Sequence, residues 1–446
     1  MRNFLFRCLL LAGILAGHAV VYAQQDNGTR AQRIYEWLVA NEADSIHAAL
    51  NRELQAQLSP AVFKDMLPQV ERQFGKLQSA GDWHTGEAGG YHLHYRDLKF
   101  ERYTLRFLLS FDDDGGLNTI RLMPAPAPAA EVPSAYNSTR VEERALAVET
   151  DGFRLPAVLA LPKGRPARVP CVVLVHGSGP NDRDETVGPN KPFRDLAWGL
   201  AARGIATLRY DKRTRVYGAD CVPQGRVLDY DTEAVDDAVA ALALAKSCPE
   251  VAPDSVYVLG HSLGGTLAPR IAGRVPSVGG VVILAGLARP LEDAYAEQVS
   301  YLASLAGNPS DENVRRQLSE VRKQAGNVKL LGTDGFDPGI PLPMNLPESY
   351  WRLANAYNPV EAAARLSVPI LVLQGERDYQ VTMEDFALWR AGLLRHRNAS
   401  FKSYPKLNHL LQEGTGKSTP LEYDQPSPVP AYVVDDIARF IRHGQL

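Results

Sequence analysis

The stretch VYVLGHSLGGTLA (residues 256–268) decides the fold of this chain. An apolar run of strand type breaks into GHSLG (260–264), and a run of helix type follows. The pentapeptide fits the G-x-S-x-G pattern, in which a serine occupies a sharp turn between a strand and a helix. A plain glycine-rich turn is the alternative, but the strand before it and the helix after it favour a nucleophile at Ser262.

Strand-like and helix-like runs alternate on both sides of this stretch. The strand-like runs are VPCVVLV (169–175), IATLRYD (205–211), GGVVILAG (279–286) and VPILVLQG (368–375). They are apolar throughout, which is typical of a parallel sheet covered by helices on both faces. We therefore predict an α/β domain over residues 135–446, and a polar helical insertion at about 289–358 as a candidate lid over a pocket.

A serine nucleophile needs a base, and the base needs an acid that orients it. In a strand–serine–helix arrangement of this kind the chain order is serine, acid, histidine. The run PILVLQGERD places Asp378 just beyond a strand end, where a loop can turn toward a histidine. Glu376 is a competing carboxylate, and we favour Asp378 because it lies further past the strand.

Three histidines follow Asp378 in the chain. His443 belongs to a terminal helix and His396 lies in the basic run LLRHRN, so both are expected at the surface. His409 follows the strand-like FKSYP and is predicted on a loop at the functional edge of the sheet. We therefore predict His409 as the general base.

The tetrahedral intermediate requires two backbone N–H donors. One is the N–H of Leu263, next after the nucleophile, and the other is expected in the loop HGSGP (176–180), with Ser178 as the candidate. A plain Gly/Pro turn is the alternative for this loop. His176 and His261 are interpreted as packing and hydrogen-bonding residues rather than bases.

The N-terminal part predicts export and a separate domain. Residues 1–23 have the basic start, short apolar run and small residues of a cleavable secretory signal peptide, so we expect a periplasmic or extracellular protein that begins near Gln24. Helical and then alternating runs over 29–123 predict a small α+β domain, and a Pro/Ala linker covers 124–134. No later stretch is apolar and long enough to predict stable membrane insertion.

Composition and isolated side chains narrow the possible partners. With 45% hydrophobic and 22% charged residues and a net charge of −3, nothing indicates a nucleic-acid partner. His92 and His94 have no evident third ligand and are interpreted as structural, so no metal is predicted. Cys221 and Cys248 could pair in an oxidising compartment. The sequence leaves the oligomeric state open.

The motifs HGSGPNDRDE, LRYDKR, GHSLGG, LQGERDYQVT and LNHLL together resemble the α/β-hydrolase superfamily, in particular its bacterial secreted serine esterases. The resemblance covers about residue 141 to the end and implies the α/β-hydrolase fold. It also implies hydrolysis of a small-molecule ester, with no metal or organic cofactor, by a triad of Ser262, Asp378 and His409. The segment before the linker resembles the α+β domains of the nuclear transport factor 2 kind.

The sequence thus predicts a serine esterase acting on small to medium acyl groups. A serine peptidase or an acyl-thioester hydrolase on the same fold is an alternative, although no propeller-type repeat precedes the domain. A binding protein that has lost catalysis is a further alternative, which the complete triad and both oxyanion loops disfavour.

Overall fold

The computed structural model describes residues 24–64, 66–88, 91–112, 114–125, 136, 138–164, 167–305 and 312–446. The predicted signal peptide and most of the predicted linker lie outside these residues. The chain divides into two compact units, one containing the residues up to Pro128 and the other most of the chain from Ala129 onward.

The first unit has helices followed by an antiparallel sheet, so the α+β prediction is confirmed. Its helices are α1 (Gln24–Ala40), α2 (Ala43–Ala49), α3 (Arg52–Gln57) and α4 (Met66–Phe74). Its strands are β1 (Leu77–Ala80), β2 (His84–Ala88), β3 (Tyr91–Phe100), β4 (Thr104–Phe111) and β5 (Leu117–Pro124), in the order β1-β3-β4-β5 with β2 also on β3.

Side chains along β4 alternate between the two faces of the sheet, and those on one face form the core of this unit. Leu105, Phe107 and Leu109 point to the buried face of the sheet and pack with helix residues such as Ile34 and Leu38. A strand that covers its core with every second residue is the expected form of an antiparallel sheet with one packed face.

The second unit is built on one eight-stranded sheet. Its strands are β6 (Val141–Thr150), β7 (Phe153–Pro162), β8 (Val169–Val175), β9 (Ala206–Tyr210), β10 (Val251–His261), β11 (Gly280–Leu284), β12 (Ile370–Gly375) and β13 (Ala399–Tyr404). Its helices are α5 (Pro192–Ala201), α6 (Arg213–Tyr217), α7 (Asp236–Ser247), α8 (Leu263–Arg274), α9 (Leu291–Leu305), α10 (Glu312–Val328), α11 (Glu348–Ala356), α12 (Pro359–Ala364), α13 (Met383–Gly392) and α14 (Ala431–His443). A π-helical turn, Asp231–Val235, precedes α7.

The sheet has the order β13-β12-β11-β10-β8-β9-β7-β6. The six strands from β13 to β9 are parallel, and the hairpin β6–β7 adds an antiparallel edge next to β9. The predicted mostly parallel sheet is therefore confirmed. Parallel strands bring the carboxyl ends of β8, β10, β12 and β13 to one edge, which carries the loops with the predicted site residues.

Apolar layers lie on both faces of this sheet. On one face, Val173 and Val258 pack with residues of α7 and α8 such as Leu242 and Leu267. On the other, the neighbouring residues of the same strands pack against α5 and α14. Both faces are thus covered by helices, which explains why the strands are apolar at every position.

Helices α9, α10, α11 and α12 lie in the chain between β11 and β12, where the insertion was predicted. None of the helices in the described part of the chain combines the length and apolarity needed to cross a bilayer. Cys171, Cys221 and Cys248 are free thiols, so the suggested pairing of Cys221 with Cys248 is not formed. The Cys248 thiol instead donates to the Leu244 carbonyl at 3.4 Å.

Candidate active site

Ser262 lies in a strained turn between β10 and α8. Its φ of 54° and ψ of −118° are rare for a residue with a side chain and cost roughly 1–3 kcal/mol. The Ser262 N–H donates to the Leu284 carbonyl at 2.9 Å, and the Thr266 N–H donates to the Ser262 carbonyl at 3.0 Å. The turn is therefore held by the neighbouring strand and by the first turn of the helix.

The glycines around Ser262 are required by close backbone packing. A Cβ on Gly260 would lie 1.9 Å from the Gly264 carbonyl oxygen, and a Cβ on Gly264 would lie 2.1 Å from the Val175 carbonyl oxygen. Helix α8 can therefore approach the ends of β8 and β10 only when both positions lack a side chain. This close backbone packing explains why the G-x-S-x-G pattern requires glycine at both positions in this chain.

Asp378 and His409 meet at the same edge of the sheet. The Nδ1 atom of His409 lies 2.6 Å from Asp378 Oδ2, and both side chains are buried. Asp378 Oδ1 accepts from the N–H groups of Gln380 and Val381 at 2.7 and 3.1 Å, and Gln374 Nε2 donates to Oδ2 at 3.3 Å. Because an ionised carboxylate only accepts, the proton of His409 lies on Nδ1 and Nε2 is left as an acceptor.

The other candidates for the acid and the base lie outside this contact. Glu376 is exposed and accepts a hydrogen bond from the Ser403 hydroxyl at 2.7 Å. The Nε2 atom of His396 lies 2.8 Å from the Leu366 carbonyl oxygen, and His443 lies at the end of α14. Of the candidate acids and bases that follow Ser262 in the chain, Asp378 and His409 are the pair whose side chains are joined by a hydrogen bond.

A buried asparagine shapes the loop that carries His409. Asn408 Oδ1 accepts from the N–H groups of Leu410 and Gln412, both at 3.0 Å. Its Nδ2 donates to Gln412 Oε1 at 2.9 Å and to Glu422 Oε2 at 3.2 Å. The backbone on both sides of His409 is thus fixed by one side chain.

A cavity of about 910 Å³ opens at this edge of the sheet, and Ser262, His409, Leu263 and Ser178 all line it. Its remaining wall comes from the loops after β8, β11, β12 and β13, from the start of α8, from the segment before the π-helical turn and from the α9–α12 segment. Tyrosines are prominent in that wall: Tyr230, Tyr295, Tyr357, Tyr379 and Tyr423.

The two predicted backbone donors face this cavity. Within the described part of the chain, the N–H groups of Ser178 and Leu263 donate no hydrogen bond to other protein groups. The neighbouring Gly177 is engaged on both sides, since its N–H donates to Glu185 Oε1 at 2.7 Å and its carbonyl accepts from Lys212 Nζ at 3.0 Å. The loop is therefore fixed through Gly177, and the N–H of Ser178 remains available.

A buried Glu185–His261 pair in the cavity wall joins the loop after β8, the end of β10 and the loop that carries His409. Glu185 Oε2 lies 3.0 Å from His261 Nδ1, and His261 Nε2 lies 2.9 Å from the backbone oxygen of His409. A carbonyl oxygen only accepts, so Nε2 of His261 carries a proton, and Nδ1 carries another when Glu185 is ionised. Glu185 thus connects the Gly177 loop, through His261, to the loop of His409.

The pKa values of the pair agree with this arrangement. Burial acts to raise the pKa of Glu185, but the charge of His261 and its hydrogen bond lower it overall. Burial acts to lower the pKa of His261, but the charge and hydrogen bond of Glu185 raise it overall. Each partner therefore stabilises the charged form of the other. His176, by contrast, has its pKa lowered by burial to about 4 and is neutral near pH 7.

The catalytic motifs of the sequence do not by themselves predict the charged side chains that support these loops. Two ion pairs join the motifs HGSGPNDRDE and LRYDKR: Arg183 with Asp211 at 2.7 Å and Arg209 with Asp184 at 2.9 Å. The alternating charges of both motifs were the available signal, but the pairing depends on β8 and β9 being neighbours in the sheet.

No group of three or more histidine, cysteine or acidic side chains suited to a metal ion occurs among the residues that the structure describes. His94 is buried against the edge of Phe111, and burial lowers its pKa.

Two family models match the chain. The model described as alpha/beta hydrolase family matches residues 172–422, and one described as protein of unknown function (DUF3887) matches residues 31–119. The first match contains Ser262, Asp378 and His409, and the second lies within the N-terminal unit.

Esterase EstD of Thermotoga maritima is 35% identical over 402 residues, which cover 90% of this chain and 92% of EstD. Similar solved structures include Est1E from Butyrivibrio proteoclasticus (TM-score 0.42, 20% identity, 67% of this chain and 98% of that one). Another is the esterase domain of a Rhodothermus marinus protein (TM-score 0.40, 18% identity, 68% and 99%). The family match over more than half of the chain and the near full-length similarity to EstD show that this chain belongs to the alpha/beta hydrolase family.

Proposed function

We propose that this chain is a serine esterase in which Ser262, His409 and Asp378 form the catalytic triad. Its membership of the family and its similarity to an esterase over nearly the whole chain support the reaction class. The single observation that carries the residue assignment is the strained Ser262 on the same cavity as His409, whose Nδ1 is bound by Asp378 at 2.6 Å.

In the first half of the proposed reaction, Nε2 of His409 accepts the proton of Ser262 as Oγ attacks the ester carbonyl. Asp378 holds the imidazole in the required tautomer and stabilises the imidazolium. The N–H groups of Leu263 and Ser178 stabilise the negative charge on the carbonyl oxygen. His409 then protonates the leaving alcohol, and an acyl-enzyme remains on Ser262.

In the second half, a water molecule replaces the alcohol. His409 removes a proton from the water as it attacks the acyl carbon, and the same two N–H groups bind the second oxyanion. Collapse of the intermediate releases the carboxylic acid and returns the proton to Ser262. Every proton is carried by His409, so the cycle needs only this chain's side chains and water.

The cavity supports a preference for small to medium acyl groups. Its volume of about 910 Å³ lies within the usual range for small-molecule sites, and polar and charged side chains interrupt its wall. A long alkyl chain would have to desolvate these groups without hydrogen bonds in return, which is unfavourable.

A series of nitrophenyl esters of increasing acyl length tests the proposal, with an acyl-CoA and an aminoacyl nitroanilide as competing substrates. We expect the highest kcat/KM for short to medium esters and a loss of at least about 10³-fold in Ser262→Ala. Ser247→Ala, which removes an exposed hydroxyl at the end of α7, is the matched control and should keep wild-type rates. Clear amide or thioester cleavage without ester turnover would reject the esterase assignment.

A fluorophosphonate probe tests the nucleophile separately. Labelling of the wild type that disappears in Ser262→Ala and persists in Ser247→Ala supports the triad. A wild-type protein that does not react would favour the binding-protein alternative.

We further propose that the protein is exported, with residues 1–23 as a cleaved signal peptide. The support is the sequence pattern alone. Expression of the whole chain in a Gram-negative host, followed by fractionation and N-terminal sequencing, should recover a periplasmic protein that begins near Gln24. Recovery of an intact N-terminus in the cytoplasm would contradict export.

A further inference from the structure

Two buried polar side chains in the wall of the cavity pair their polar groups with no other residue in the described part of the chain. Glu292, in the first turn of α9, and Tyr230, just before the π-helical turn, are each 3% exposed and both line the cavity. Within the described part of the chain, neither side chain makes a hydrogen bond or ion pair with another residue. Because both residues line the cavity, a ligand bound there can contact them.

Several other polar groups of this wall are already paired. The Tyr357 hydroxyl donates to the Thr266 carbonyl at 2.9 Å, and Lys329 forms an ion pair with Asp293 at 2.6 Å. Arg289 is surrounded by three carboxylates. A ligand would gain little from these groups, whereas Tyr230 and Glu292 make no hydrogen bond with another residue in the described part of the chain.

Both side chains line the same cavity. Burial, followed by the charges of Glu233 and Glu292, raises the pKa of Tyr230, so the phenol stays protonated and can donate a hydrogen bond. Burial also raises the pKa of Glu292, opposed by its own backbone N–H. A buried polar group without a partner costs about 1–3 kcal/mol, and a ligand that supplies the partner recovers that free energy.

We propose that Tyr230 and Glu292 form a subsite that binds a hydroxyl group of the substrate, so that the preferred esters carry a hydroxyl away from the scissile bond. This inference rests on the proposed esterase function and names its substrate class. A hydroxyl donates to Glu292 and accepts from Tyr230 at the same time, so it satisfies both groups. It also pairs with Glu292 in either protonation state, whereas an ammonium ion requires the carboxylate.

Matched ester pairs test the subsite on both sides of the scissile bond. For the acyl side, ω-hydroxyacyl nitrophenyl esters are compared with the unsubstituted esters of equal length. For the alcohol side, hydroxyalkyl butyrates are compared with alkyl butyrates. We expect kcat/KM to favour the hydroxyl member of at least one pair by about 10-fold or more, the range of one or two hydrogen bonds to a buried partner.

The variants Tyr230→Phe and Glu292→Leu should each remove most of this ratio while turnover of the unsubstituted ester continues. Tyr217→Phe and Glu320→Gln, which alter an exposed tyrosine–backbone contact and an exposed glutamate, are the matched controls and should keep the ratio. Labelling of Ser262 by the fluorophosphonate, measured in every variant, shows that the fold and the nucleophile are intact.

The outcomes separate the two proposals. Turnover of all esters with a ratio near one in the wild type overturns the subsite and leaves the esterase standing. A preference for the hydroxyl ester that stays unchanged in Tyr230→Phe and Glu292→Leu also overturns the subsite and leaves the esterase standing. An aminoalkyl ester that is preferred over the hydroxyalkyl ester, and depends on Glu292 but not on Tyr230, overturns the hydroxyl assignment. Absence of ester turnover in the wild type rejects the proposed function itself.

Discussion

At the scale of single residues, two neighbouring carboxylates give the sharpest test of the triad. Asp378 is buried against His409, whereas Glu376, two residues earlier, is exposed and bound to Ser403. We expect Asp378→Asn to lower kcat by about 10³–10⁴-fold, because an amide stabilises the wrong tautomer of His409 and not its imidazolium. Glu376→Gln should leave kcat within about two-fold of the wild type.

Steady-state kinetics on one short nitrophenyl ester measures kcat for both variants. For the base, His409→Asn is compared in the same way with the control variant His396→Asn. A wild-type rate in Asp378→Asn would remove Asp378 from the triad. Equal losses in Asp378→Asn and Glu376→Gln would show that the loop, rather than one carboxylate, is responsible.

The buried Glu185–His261 pair predicts a pH-dependent contribution to stability. The folded pKa of His261 is raised above 6.5, so its contribution is complete below 6.5 and disappears as the pH rises through the folded value. The folded pKa of Glu185 is lowered below 4.5, so its contribution is complete above 4.5 and disappears as the pH falls through the folded value. Both contributions are therefore present between about pH 4.5 and 6.5.

Glu185→Gln should consequently lower the free energy of unfolding by about 3–5 kcal/mol near pH 6, since it leaves a charged or desolvated imidazole without its partner. The difference in free energy of unfolding between Glu185→Gln and the wild type should decrease as the pH rises above the folded pKa of His261. Denaturant unfolding at several pH values measures this. Glu149→Gln, which breaks an exposed pair with Arg154, is the control and should cost below about 1 kcal/mol. A loss in Glu185→Gln no larger than in this control would refute the assignment.

Residue types at strand ends were sufficient to predict Ser262, Asp378 and His409 as a candidate triad, because the chain order and the loop positions are local information. Glu185 and Glu292 could not be found in the same way. Glu185 acts through Gly177 and His261, and the latter lies 76 positions away in the chain. Glu292 is distinguished only by the absence of a partner in a cavity that the fold creates.

At the scale of elements, the contact between β8 and helix α8 depends on Gly264. A Cβ there would lie 2.1 Å from a backbone oxygen of β8, which cannot move without breaking the sheet. We expect Gly264→Ala to lower the free energy of unfolding by about 3 kcal/mol, the upper range for over-packing. The displaced turn should also lower kcat by about 10²-fold, the cost of a small misplacement of Ser262.

Gly273→Ala is the matched control on the same helix, because no atom lies within 4 Å of its added Cβ. This change should leave kcat unaltered and raise stability by about 0.5–1 kcal/mol, since alanine restricts the unfolded chain. Thermal unfolding measures the stability of both variants, and ester kinetics measures their kcat. A Gly264→Ala variant as stable and active as Gly273→Ala would contradict the packing argument.

The elements differ in how far the sequence could predict them. Strands β8, β9, β11 and β12 are buried along almost their whole length, so their apolar runs stand out. The hairpin β6–β7 at the sheet edge is not among the strands predicted from the sequence, because the exposed side chains of β6 interrupt its apolar pattern. Its available signal is the turn at Asp151 and Gly152, whose φ values of 47° and 83° suit an Asp-Gly hairpin turn.

At the scale of the whole molecule, every group assigned to catalysis lies in one of the two units. The N-terminal unit has its own antiparallel sheet and its own apolar core around Phe107. The C-terminal unit supplies both layers around the parallel sheet and all of the cavity wall. The change in composition and the Pro/Ala segment predict a boundary near residues 124–134, and each unit buries its apolar residues in a core of its own.

Two core substitutions test whether these units are energetically independent. Phe107→Ala should destabilise the N-terminal unit by about 3–5 kcal/mol and leave kcat for a short ester unchanged at a temperature below unfolding. Leu174→Ala, equally buried but within the parallel sheet, should destabilise the catalytic unit by about 2–5 kcal/mol and reduce the fraction that a fluorophosphonate labels on heating. Calorimetry should show two transitions, each moved by only one variant. A single transition that both variants lower equally would mean that the two cores unfold as one cooperative unit.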